Sequence, residues 1–404
     1  MIDPADYGLD NLPFGVVEYD DRVFPAVAFE DRVVDLDALV GANVLDEESL
    51  RGASTLNAFL GRGHSVWSAV RARLQQLLGP AAAGHERAAV ARASHPRDAV
   101  RECLPVAIGD YVDFYSSIEH ATNVGEILRP GTPLLPNYRH IPIGYHGRSG
   151  TVVLSGTSIR RPHGQRKPTG ADAPVFGPTQ QLDVELEMAW IAGPGNDLGV
   201  PIGANAVRPH VFGYVLLNDW SARDIQGWEY QPLGPFLGKS FGTSISPWIV
   251  TLDALEPFRV AERARDPEPL PYLRANLPWA YDVELEMLLV TPRMREHAHP
   301  PLTISRTNLR GMYWTVAQQL AHVTSNGATI RPGDLFGTGT ISGPTPGSEG
   351  SLLELTHRGA RPLALPGRET RGFLEAGDTV IIRGRATNGA ARVGFGEVVG
   401  TIVG

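Results

Sequence analysis

The stretch LDVELEMAWIAG, residues 182–193, begins with alternating acidic and apolar residues and continues as an apolar run. Successive side chains of a strand point to opposite faces, so Asp183, Glu185 and Glu187 are predicted to share one face. The same six letters, DVELEM, recur at residues 282–287. Because a half-exposed strand often carries solvated acids on its outer face, the pattern alone does not indicate which copy, if either, binds a metal.

Strand-like segments separated by turns dominate the chain from residue 151 onward. The 45 Gly and 33 Pro residues are scattered between short apolar segments, which favours strands joined by many turns. Besides residues 182–193, these segments are TVVLSGTSI, HVFGYVLLND, PWIVTLDAL, DVELEMLLVTP, DTVIIRG and GEVVGTIV. Residues 308–324 are the exception and predict a helix. We therefore expect a mainly β fold.

A smaller module is predicted upstream, beginning with residues 15–40, GVVEYDDRVFPAVAFEDRVVDLDALV. Its short apolar runs flank two turn-forming pairs, Asp20-Asp21 and Glu30-Asp31, as expected of small antiparallel strands. This pattern is typical of a compact barrel-like module.

The spacing of apolar residues becomes helical between about residues 46 and 78. The residues that carry this spacing are Leu56, Leu60, Trp67, Val70, Leu74 and Leu77. The Ala-rich stretch AAAGHERAAVARAS, residues 81–94, is the candidate boundary, and a strand is predicted over residues 104–108. A chain of 404 residues is long enough for two domains, which we predict at residues 1–104 and 105–404.

Composition excludes several classes of function. The net charge of −8 and the lack of a Lys/Arg cluster argue against a nucleic-acid or anionic-membrane surface. No stretch approaches the roughly 20 apolar residues that cross a bilayer, and the first residues lack a signal-peptide pattern, so a cytoplasmic protein with a small-molecule ligand is expected. Cys103 is the only cysteine, which excludes intrachain disulfides and multi-thiolate metal sites.

The surroundings of the two DVELEM copies differ in their functional side chains. The first copy lies between residues 113–120, DFYSSIEH, and residues 218–226, NDWSARDIQ, both dense in polar and charged groups. The second copy is followed by residues 291–301, TPRMREHAHPP, which predict an ordinary charged loop. The first copy is therefore the better candidate for a functional site.

Two further acids stand where they could join the first copy. Asp113 follows a candidate strand and turn, and Asp219 ends the apolar strand HVFGYVLLND. If both meet Glu185 and Glu187, four carboxylates would suit a hard divalent cation, Ca²⁺ or Mg²⁺, rather than Zn²⁺. Calcium fits an all-oxygen cage better, and without an ion these acids would repel one another.

Several segments in matching order resemble the signature segments of the fumarylacetoacetase family. They are DFYSSIEHATNVGEILRP, LLPNYRHIPIGYHGR, LDVELEMAWIAGPGN, VLLNDWSARDIQGWEYQPLGPFLGKSFGTSISPW and GTISGPTPGSEGSLLEL. The resemblance implies a small SH3-like barrel domain over residues 1–104, a β-roll catalytic domain over residues 105–404, and a homodimer. No departure from the family pattern falls on a residue with an assigned role.

The resemblance also implies a role for each matching residue. The implied calcium ligands are Asp113, Glu185, Glu187 and Asp219. The implied catalytic residues are His120 as the base, Glu354 as the group that orients it, and Arg223, Gln226 and Lys239 as groups that polarise the substrate carbonyl or oxyanion. The implied substrate contacts are Tyr115, Arg129, Tyr145, Gln226, Tyr230 and Thr340. A second, peripheral Mg²⁺ site near Asp219 is implied by Lys239 and Thr243.

The implied reaction is hydrolysis of a carbon–carbon bond in a β-diketo acid, 4-fumarylacetoacetate, to fumarate and acetoacetate, the last step of tyrosine and phenylalanine breakdown. The chemistry is consistent with these groups, since a departing carbon that becomes an enolate can be held by a divalent cation. Two alternatives stay open. One is another enzyme of the same superfamily, such as an acylpyruvate hydrolase, a hydratase or a decarboxylase. The other is a binding protein that the metal only stabilises.

Overall fold

Two five-stranded sheets and one eight-stranded sheet organise the chain in a computed structural model that describes residues 3–389 and 391–404. The other strands are short and pair in four two-stranded sheets: His163–Arg166 with Val175–Pro178, Leu182–Asp183 with Ser221–Ala222, Arg259–Val260 with Ala280–Tyr281, and Leu363–Leu365 with Glu369–Arg371. The prediction of a mainly β fold is confirmed.

The first five-stranded sheet, here the N-terminal sheet, is antiparallel throughout. In spatial order its strands are Ser94–Pro96, Arg32–Asp35, Arg22–Phe29, Phe14–Tyr19 and Arg101–Cys103. Asp20 and Asp21 have φ angles of 51° and 59°, the left-handed pair that a two-residue hairpin turn needs. The predicted strands and turns are thus confirmed as far as Asp35, whereas the end of the segment is wrong, because it forms the helix Leu36–Gly41.

Helices cover the N-terminal sheet. They are Leu36–Gly41, Asn57–Leu60, His64–Leu78 and Gly84–Ala93. The predicted helical region up to residue 78 is confirmed, but the Ala-rich stretch over residues 81–94 does not act as a linker. It folds as the helix Gly84–Ala93, buries Ala89 and Ala93 in the core, and leads into a strand of the N-terminal sheet.

The strand predicted over residues 104–108 is wrong. The strand in this region is Arg101–Cys103, which pairs with Phe14–Tyr19, and the following residues leave the ladder. Pro105 has no N–H to donate to a neighbouring strand, and its carbonyl instead accepts the N–H of Leu56.

The eight-stranded sheet, here the central sheet, runs through the middle of the chain. Its strands in spatial order are Gly144–His146, Tyr111–Phe114, Leu335–Gly337, Leu186–Ala192, Val211–Asp219, Thr243–Ile245 and Val152–Leu154, with Val250–Thr251 added beside Val211–Asp219. Two of its pairings are parallel and the others antiparallel.

The second five-stranded sheet, here the outer sheet, packs against one face of the central sheet. Its strands in spatial order are Leu302–Asn308, Glu284–Val290, Thr379–Thr387, Arg392–Val403 and Ile159–Arg160. The two sheets share one apolar core, to which Leu186 and Met188 contribute from the central sheet and Leu285 and Met287 from the outer sheet. The apolar side of both DVELEM copies therefore faces the same interior.

Short helices connect the strands of the two sheets. They are Ile118–Leu128, Val207–His210, Arg223–Glu229, Leu252–Leu255, Pro292–Glu296, Val316–Val323 and Leu352–Leu355. The single-turn 3₁₀ helices are Pro4–Tyr7, Glu48–Leu50, Arg97–Ala99, Ser149–Thr151, Glu256–Phe258, Pro271–Leu273, Leu309–Gly311 and Pro366–Arg368. The helix predicted over residues 308–324 begins only at Val316, and the segment PWIVTLDAL is half helix. Among the described residues, none of the helices combines the length and the apolar character that crossing a bilayer would take.

The N-terminal module packs on the other face of the central sheet. Phe14, Phe59 and Trp67 surround Phe212, with ring centroids 5.5, 5.9 and 5.1 Å away. Val215 and Leu217, on the same strand as Phe212, join this core. The module thus covers one part of this face, and polar residues lie on the remaining part.

Candidate active site

The acidic residues lie on the face of the central sheet that the N-terminal module partly covers. Strand alternation places Asp113 on the side of Tyr111, Glu187 on the side of Ala189, and Asp219 on the side of Leu217. Tyr111, Ala189 and Leu217 all pack into the core under the module. The same three strands therefore carry apolar residues at one end and carboxylates at the other.

Asp113, Glu185, Glu187 and Asp219 form a single buried cluster, here the acidic cluster. Each offers one carboxylate oxygen, and these oxygens lie within 4.8 Å of one another. All four residues are at most 4% exposed. Carboxylates that are this close together and buried need compensating positive charge.

The protonation of the acidic cluster reflects this crowding. Burial, followed by the charge of Asp219, raises the pKa of Asp113 well above its ordinary value. Burial, followed by the charge of Asp113, does the same to the pKa of Glu187. Burial alone would raise the pKa of Glu185 too, but Arg223 and Lys239 outweigh it and hold that pKa below its ordinary range.

The acidic cluster fits a divalent cation. Glu187 Oε1 is buried without a hydrogen-bond partner among the described residues, so one acceptor in the cluster awaits a ligand. The donor set is entirely oxygen, which suits a hard cation. A metal could therefore bind here, as the sequence predicts.

Lys239 and two hydroxyl groups contact Asp219 at the edge of the acidic cluster. Lys239 Nζ contacts Glu185 and donates to Asp219 Oδ2 over 2.6 Å. Burial lowers the pKa of Lys239, but Asp219 and Glu185 raise it more, so that pKa lies above its ordinary value and the side chain stays charged. Tyr145 Oη donates to Asp219 Oδ2 over 2.5 Å, and Thr243 Oγ1 donates to Asp219 Oδ1 over 3.2 Å.

His120 faces the acidic cluster from the first turn of the helix Ile118–Leu128. The helix begins after Ser117, whose Oγ accepts the His120 N–H over 3.2 Å. His120 Nδ1 lies 2.7 Å from Glu354 Oε2, and Nε2 lies 3.9 Å from Glu185 Oε1. The imidazole therefore bridges Glu354 and the cluster.

Glu354 is anchored on all sides by polar groups. Asn123 Nδ2 donates to Oε1 over 2.9 Å, Ser351 Oγ donates to Oε2 over 2.7 Å, and Ser342 Oγ lies 2.9 Å from Oε1. Burial raises the pKa of Glu354, but His120 and these hydrogen bonds outweigh it, and the pKa lies below its ordinary value. Glu354 is thus an ionised carboxylate with a fixed orientation.

Arg223 lines the site from the first position of the helix Arg223–Glu229. Its Nη2 donates to Glu185 Oε1 over 2.8 Å, and its Nη1 donates to Gln226 Oε1 over 3.2 Å. Its Nε donates to Asp183 Oδ2 over 2.8 Å. Arg223 and Gln226 are thereby aligned beside the acidic cluster.

A cavity of about 420 Å³ opens above these groups. The predicted site residues that line it are Asp113, Tyr115, His120, Arg129, Tyr145, Glu185, Glu187, Arg223, Gln226, Tyr230, Lys239 and Thr340. Of the other three, Glu354 contacts His120 of the lining, Asp219 contacts Lys239, and Thr243 contacts Asp219. The structure therefore brings all of the predicted site residues together.

Two glycines allow the close packing beneath the cluster. A Cβ atom on Gly337 would lie 2.6 Å from Asp113 Oδ1 and 3.1 Å from Glu187 Oε2. Gly339 has a φ of 78°, and its N–H donates to both of these oxygens over 3.1 Å. Neither glycine is distinguishable by sequence pattern from the turn glycines elsewhere in the chain.

Other residues of the site were not predicted. Asn123 stands three positions after His120, a spacing that puts both on one helix face, so this residue could have been found. Ser342 and Ser351 are single serines without a distinguishing local pattern. Strand alternation predicts Asp183 on the acidic face of its strand but predicts no function for it. The structure buries it completely.

This cavity, with carboxylates that could hold a metal beside a histidine–glutamate pair, carries the groups of an enzyme active site. Residues 111–403 match the family model described as "Fumarylacetoacetate (FAA) hydrolase C-terminal", and residues 10–105 match "Fumarylacetoacetase N-terminal". The chain belongs to the fumarylacetoacetase family and is a hydrolase.

Whole-chain relatives agree with this assignment. The fumarylacetoacetase of Arabidopsis thaliana is 48% identical, with 98% of this chain and 96% of that protein covered. Those of Rattus norvegicus and Homo sapiens are each 46% identical, with 100% of this chain and 97% of the relative covered.

Solved structures support the fold. The fumarylacetoacetate hydrolase of Exiguobacterium antarcticum superposes with a TM-score of 0.55 at 19% identity, covering 97% of this chain and 99% of that one. The maleylpyruvate hydrolase of a Sphingobium strain superposes with a TM-score of 0.53 at 15% identity over the same shares. At these identities the likeness concerns the fold alone.

Proposed function

We propose that the chain hydrolyses 4-fumarylacetoacetate to fumarate and acetoacetate. The observation that carries the proposal is the convergence, in one cavity, of the acidic cluster, the His120–Glu354 pair and the cations Arg223 and Lys239. Relatives named fumarylacetoacetase match the whole chain at 44–48% identity, which supports the same substrate here.

The acidic cluster is proposed to hold Ca²⁺ through Asp113, Glu185, Glu187 and Asp219. When bound, a divalent cation supplies Lewis acidity toward the oxygens of a β-diketone and of its enolate. The all-oxygen donor set supports a hard cation. The crowding that raises the pKa of Asp113 and the unpartnered Glu187 Oε1 support a bound positive charge.

A second, peripheral Mg²⁺ is proposed near Asp219, beside Thr243 and Lys239. Thr243 Oγ1 lies 3.2 Å from Asp219 Oδ1 and is an oxygen of the right kind. The Lys239 ammonium is a cation that donates to Asp219, so Lys239 can assist Mg²⁺ only through its main-chain carbonyl. No step of the reaction depends on this ion.

His120 is proposed to take the proton from the attacking water. Its Nδ1 is engaged by Glu354, which leaves Nε2 facing the cavity as the acceptor. The ionised Glu354 then stabilises the imidazolium. The same imidazolium can return the proton to the carbon that departs.

The oxyanion formed by water attack needs donors that are already in place. Arg223, Gln226 and Lys239 line the cavity and are proposed to supply them. One such preorganised donor contributes roughly 3 to 4 kcal/mol of transition-state stabilisation. Arg223 and Lys239 both contact Glu185, so their positions are fixed before the substrate arrives.

The remaining residues of the lining are proposed to hold the substrate. Arg129 Nε is buried without a partner among the described residues, which leaves a donor for a substrate carboxylate. Burial raises the pKa of Tyr115, so its hydroxyl stays neutral and can donate. The other proposed substrate contacts are Tyr145, Gln226, Tyr230 and Thr340.

The test is the loss of fumarylacetoacetate absorbance on addition of the purified protein, with and without a chelator, beside His120→Ala. Loss with the wild type that the chelator and His120→Ala both abolish is expected. Cleavage of acylpyruvates but not of fumarylacetoacetate would favour the superfamily alternative. No cleavage of either, together with a lower melting temperature after chelation, would favour a metal-stabilised binding protein.

We also propose that the protein is a cytoplasmic homodimer and that its reaction ends tyrosine and phenylalanine breakdown. The dimer and the pathway rest on the family resemblance, and the cytoplasmic location rests on composition. Light scattering coupled to size-exclusion chromatography measures the oligomeric state directly, and a monomeric mass would refute the dimer.

A further inference from the structure

Asp183 is the one acid of the first DVELEM copy that the proposed reaction does not use. It is 0% exposed, although burying an ionised carboxylate without partners is costly. Its Oδ1 accepts the N–H groups of Val184 and Leu352, both over 2.8 Å. Its Oδ2 accepts Arg223 Nε over 2.8 Å and the Leu353 N–H over 3.0 Å. Four N–H donors thus occupy the two oxygens of one carboxylate.

Two of these donors belong to the helical turn that carries Glu354. The helix Leu352–Leu355 begins after Ser351, and the first N–H groups of a helix have no partner within it. The Asp183 carboxylate accepts both the Leu352 and the Leu353 N–H, so it fixes where this turn begins. Glu354 follows immediately and holds His120 Nδ1 at 2.7 Å.

A third donor is the guanidinium of Arg223. A guanidinium is planar, so contacts at Nε and at Nη2 together fix its plane. Nε lies on Asp183 and Nη2 lies on Glu185, both over 2.8 Å. The remaining Nη1 then faces Gln226.

We propose that Asp183 is a positioning residue whose single carboxylate fixes both the guanidinium of Arg223 and the turn that carries Glu354. Its consequence for catalysis rests on the proposed roles of Arg223, Glu354 and His120. Asp183 does not line the cavity and acts only through these residues.

Asparagine at this position cannot replace aspartate. It has nearly the same shape, but one of its two oxygens becomes an NH₂ group, which only donates. Either orientation of the amide places that NH₂ against two N–H donors. Each oxygen accepts one N–H of the turn that carries Glu354, so Asp183→Asn is expected to displace this turn in either orientation, and Arg223 as well in one of them.

The matched control is Asp282→Asn, the same position in the second DVELEM copy. The Asp282 side chain is 36% exposed and, among the described residues, accepts from Asn308 Nδ2 over 2.7 Å and Arg310 Nη1 over 3.2 Å. Its loss leaves no donor enclosed away from water. Wild-type kcat and KM are expected for this variant.

The kinetic test compares wild type, Asp183→Asn and Asp282→Asn at equal concentrations of folded protein. We expect Asp183→Asn to lose about 10²-fold in kcat, the cost of a displacement of about 1 Å, with a smaller change in KM. In the Glu354→Gln background the further loss from Asp183→Asn should be about tenfold smaller, since both changes disturb one unit. An unchanged kcat, or an equal loss in both backgrounds, would overturn the proposal.

Amide hydrogen exchange gives a readout that needs no substrate. A peptide spanning residues 351–356 should exchange faster in Asp183→Asn, whereas a peptide from the strand Leu186–Ala192 should not change. Unchanged exchange at residues 351–356 would overturn the proposal. If the wild type leaves fumarylacetoacetate intact while exchange responds as expected, the proposed function fails and the structural link through Asp183 stands.

Asp183→Ala provides a second variant if Asp183→Asn does not fold. Added sodium formate presents two oxygens that can accept the same donors, so it should restore part of the lost kcat and slow the exchange at residues 351–356. Sodium chloride at the same concentration should do neither. A folded Asp183→Ala protein that responds equally to both salts would contradict the proposal.

Discussion

The two DVELEM copies have identical letters and the same apolar interior but opposite surroundings on their acidic side. In the first copy, Asp183, Glu185 and Glu187 are all at most 4% exposed. In the second, Glu284 is exposed and Glu286 is half-buried. The difference lies outside the six residues themselves.

What covers the acidic side decides the outcome. The helix Ile118–Leu128 and residues 350–354 cover the first copy. Residues 350–354 lie beside it, and Ser351 pairs with Glu185 in an isolated β-bridge. The second copy opens into a groove of about 820 Å³, where Arg306 pairs with Glu286 over 2.8 Å. Carboxylates in water need no partner, whereas carboxylates enclosed by protein need one, and the first copy therefore becomes a site.

The largest expected effect comes from the histidine over the first copy. His120→Ala should lower kcat by about 10²- to 10⁴-fold, the usual contribution of a general base. His297→Ala, an exposed histidine in the loop after the second copy, should leave kcat unchanged. Steady-state kinetics with fumarylacetoacetate measure both, and equal values for the two variants would remove His120 from the mechanism.

Glutamine at the first glutamate of each copy separates metal binding from surface charge. Glu185→Gln should weaken Ca²⁺ binding by about 100-fold, since even the outer partners of metal ligands contribute about 10- to 100-fold. It should also lower activity, because Glu185 holds Arg223 and Lys239. Glu284→Gln should change neither. Titration calorimetry measures the affinities, and equal effects would refute the site assignment.

Metal should stabilise the fold through the first copy, and more so at higher pH. The pKa values of Asp113 and Glu187 are raised, so the metal-free folded chain keeps protons that the unfolded chain releases. Its stability should therefore fall as pH rises above about 4, the ordinary pKa of these acids. Ca²⁺ at about 100 times its Kd should add about 2.7 kcal/mol, and this gain should need more Ca²⁺ at lower pH.

Melting temperatures with Ca²⁺ and with chelator, at pH 6 and pH 8, check this linkage. The Glu284→Gln protein is the control and should follow the wild type. A metal-free chain that becomes steadily more stable between pH 6 and pH 8 would contradict the expected sign.

The smallest effect is expected at the second glutamate of the second copy. Glu286→Gln removes its ion pair with Arg306, whose side chain is 70% exposed, and such surface pairs contribute less than about 1 kcal/mol. Activity and the Ca²⁺ response should be unchanged. Glu187→Gln, the matching change in the first copy, should abolish the Ca²⁺ response, and chemical denaturation compares the two.

Local pattern could predict the strands and the acidic face but not the enclosure of the site. Residues 182–193 and the hairpins around Asp20-Asp21 follow from alternation and turn chemistry, which are properties of neighbouring residues. His120 and Glu354 are 234 positions apart, and of the sequence observations only the family resemblance predicts that they lie together. The role of Asp183 depends on donors from residues 223 and 352–353, which no local pattern reports.

Two short helices are not predicted by the sequence for a similar physical reason. The helix Leu352–Leu355 is one turn long, too short to show a helical period, and it begins where Ser351 and Asp183 accept its first N–H groups. The helix Gly84–Ala93 buries only small residues, Ala89 and Ala93, so its composition resembles that of a linker. In both cases tertiary contacts, not apolar periodicity, stabilise the element.

The strand Val211–Asp219 has an engineering consequence. At one end Phe212 lies among Phe14, Phe59 and Trp67 of the N-terminal module, and at the other end Asp219 joins the acidic cluster. Expression of residues 105–404 alone would leave Phe212, Val215 and Leu217 facing water as one large apolar patch. Such a fragment is expected to precipitate on purification, so screening of inhibitors or variants should use the whole chain.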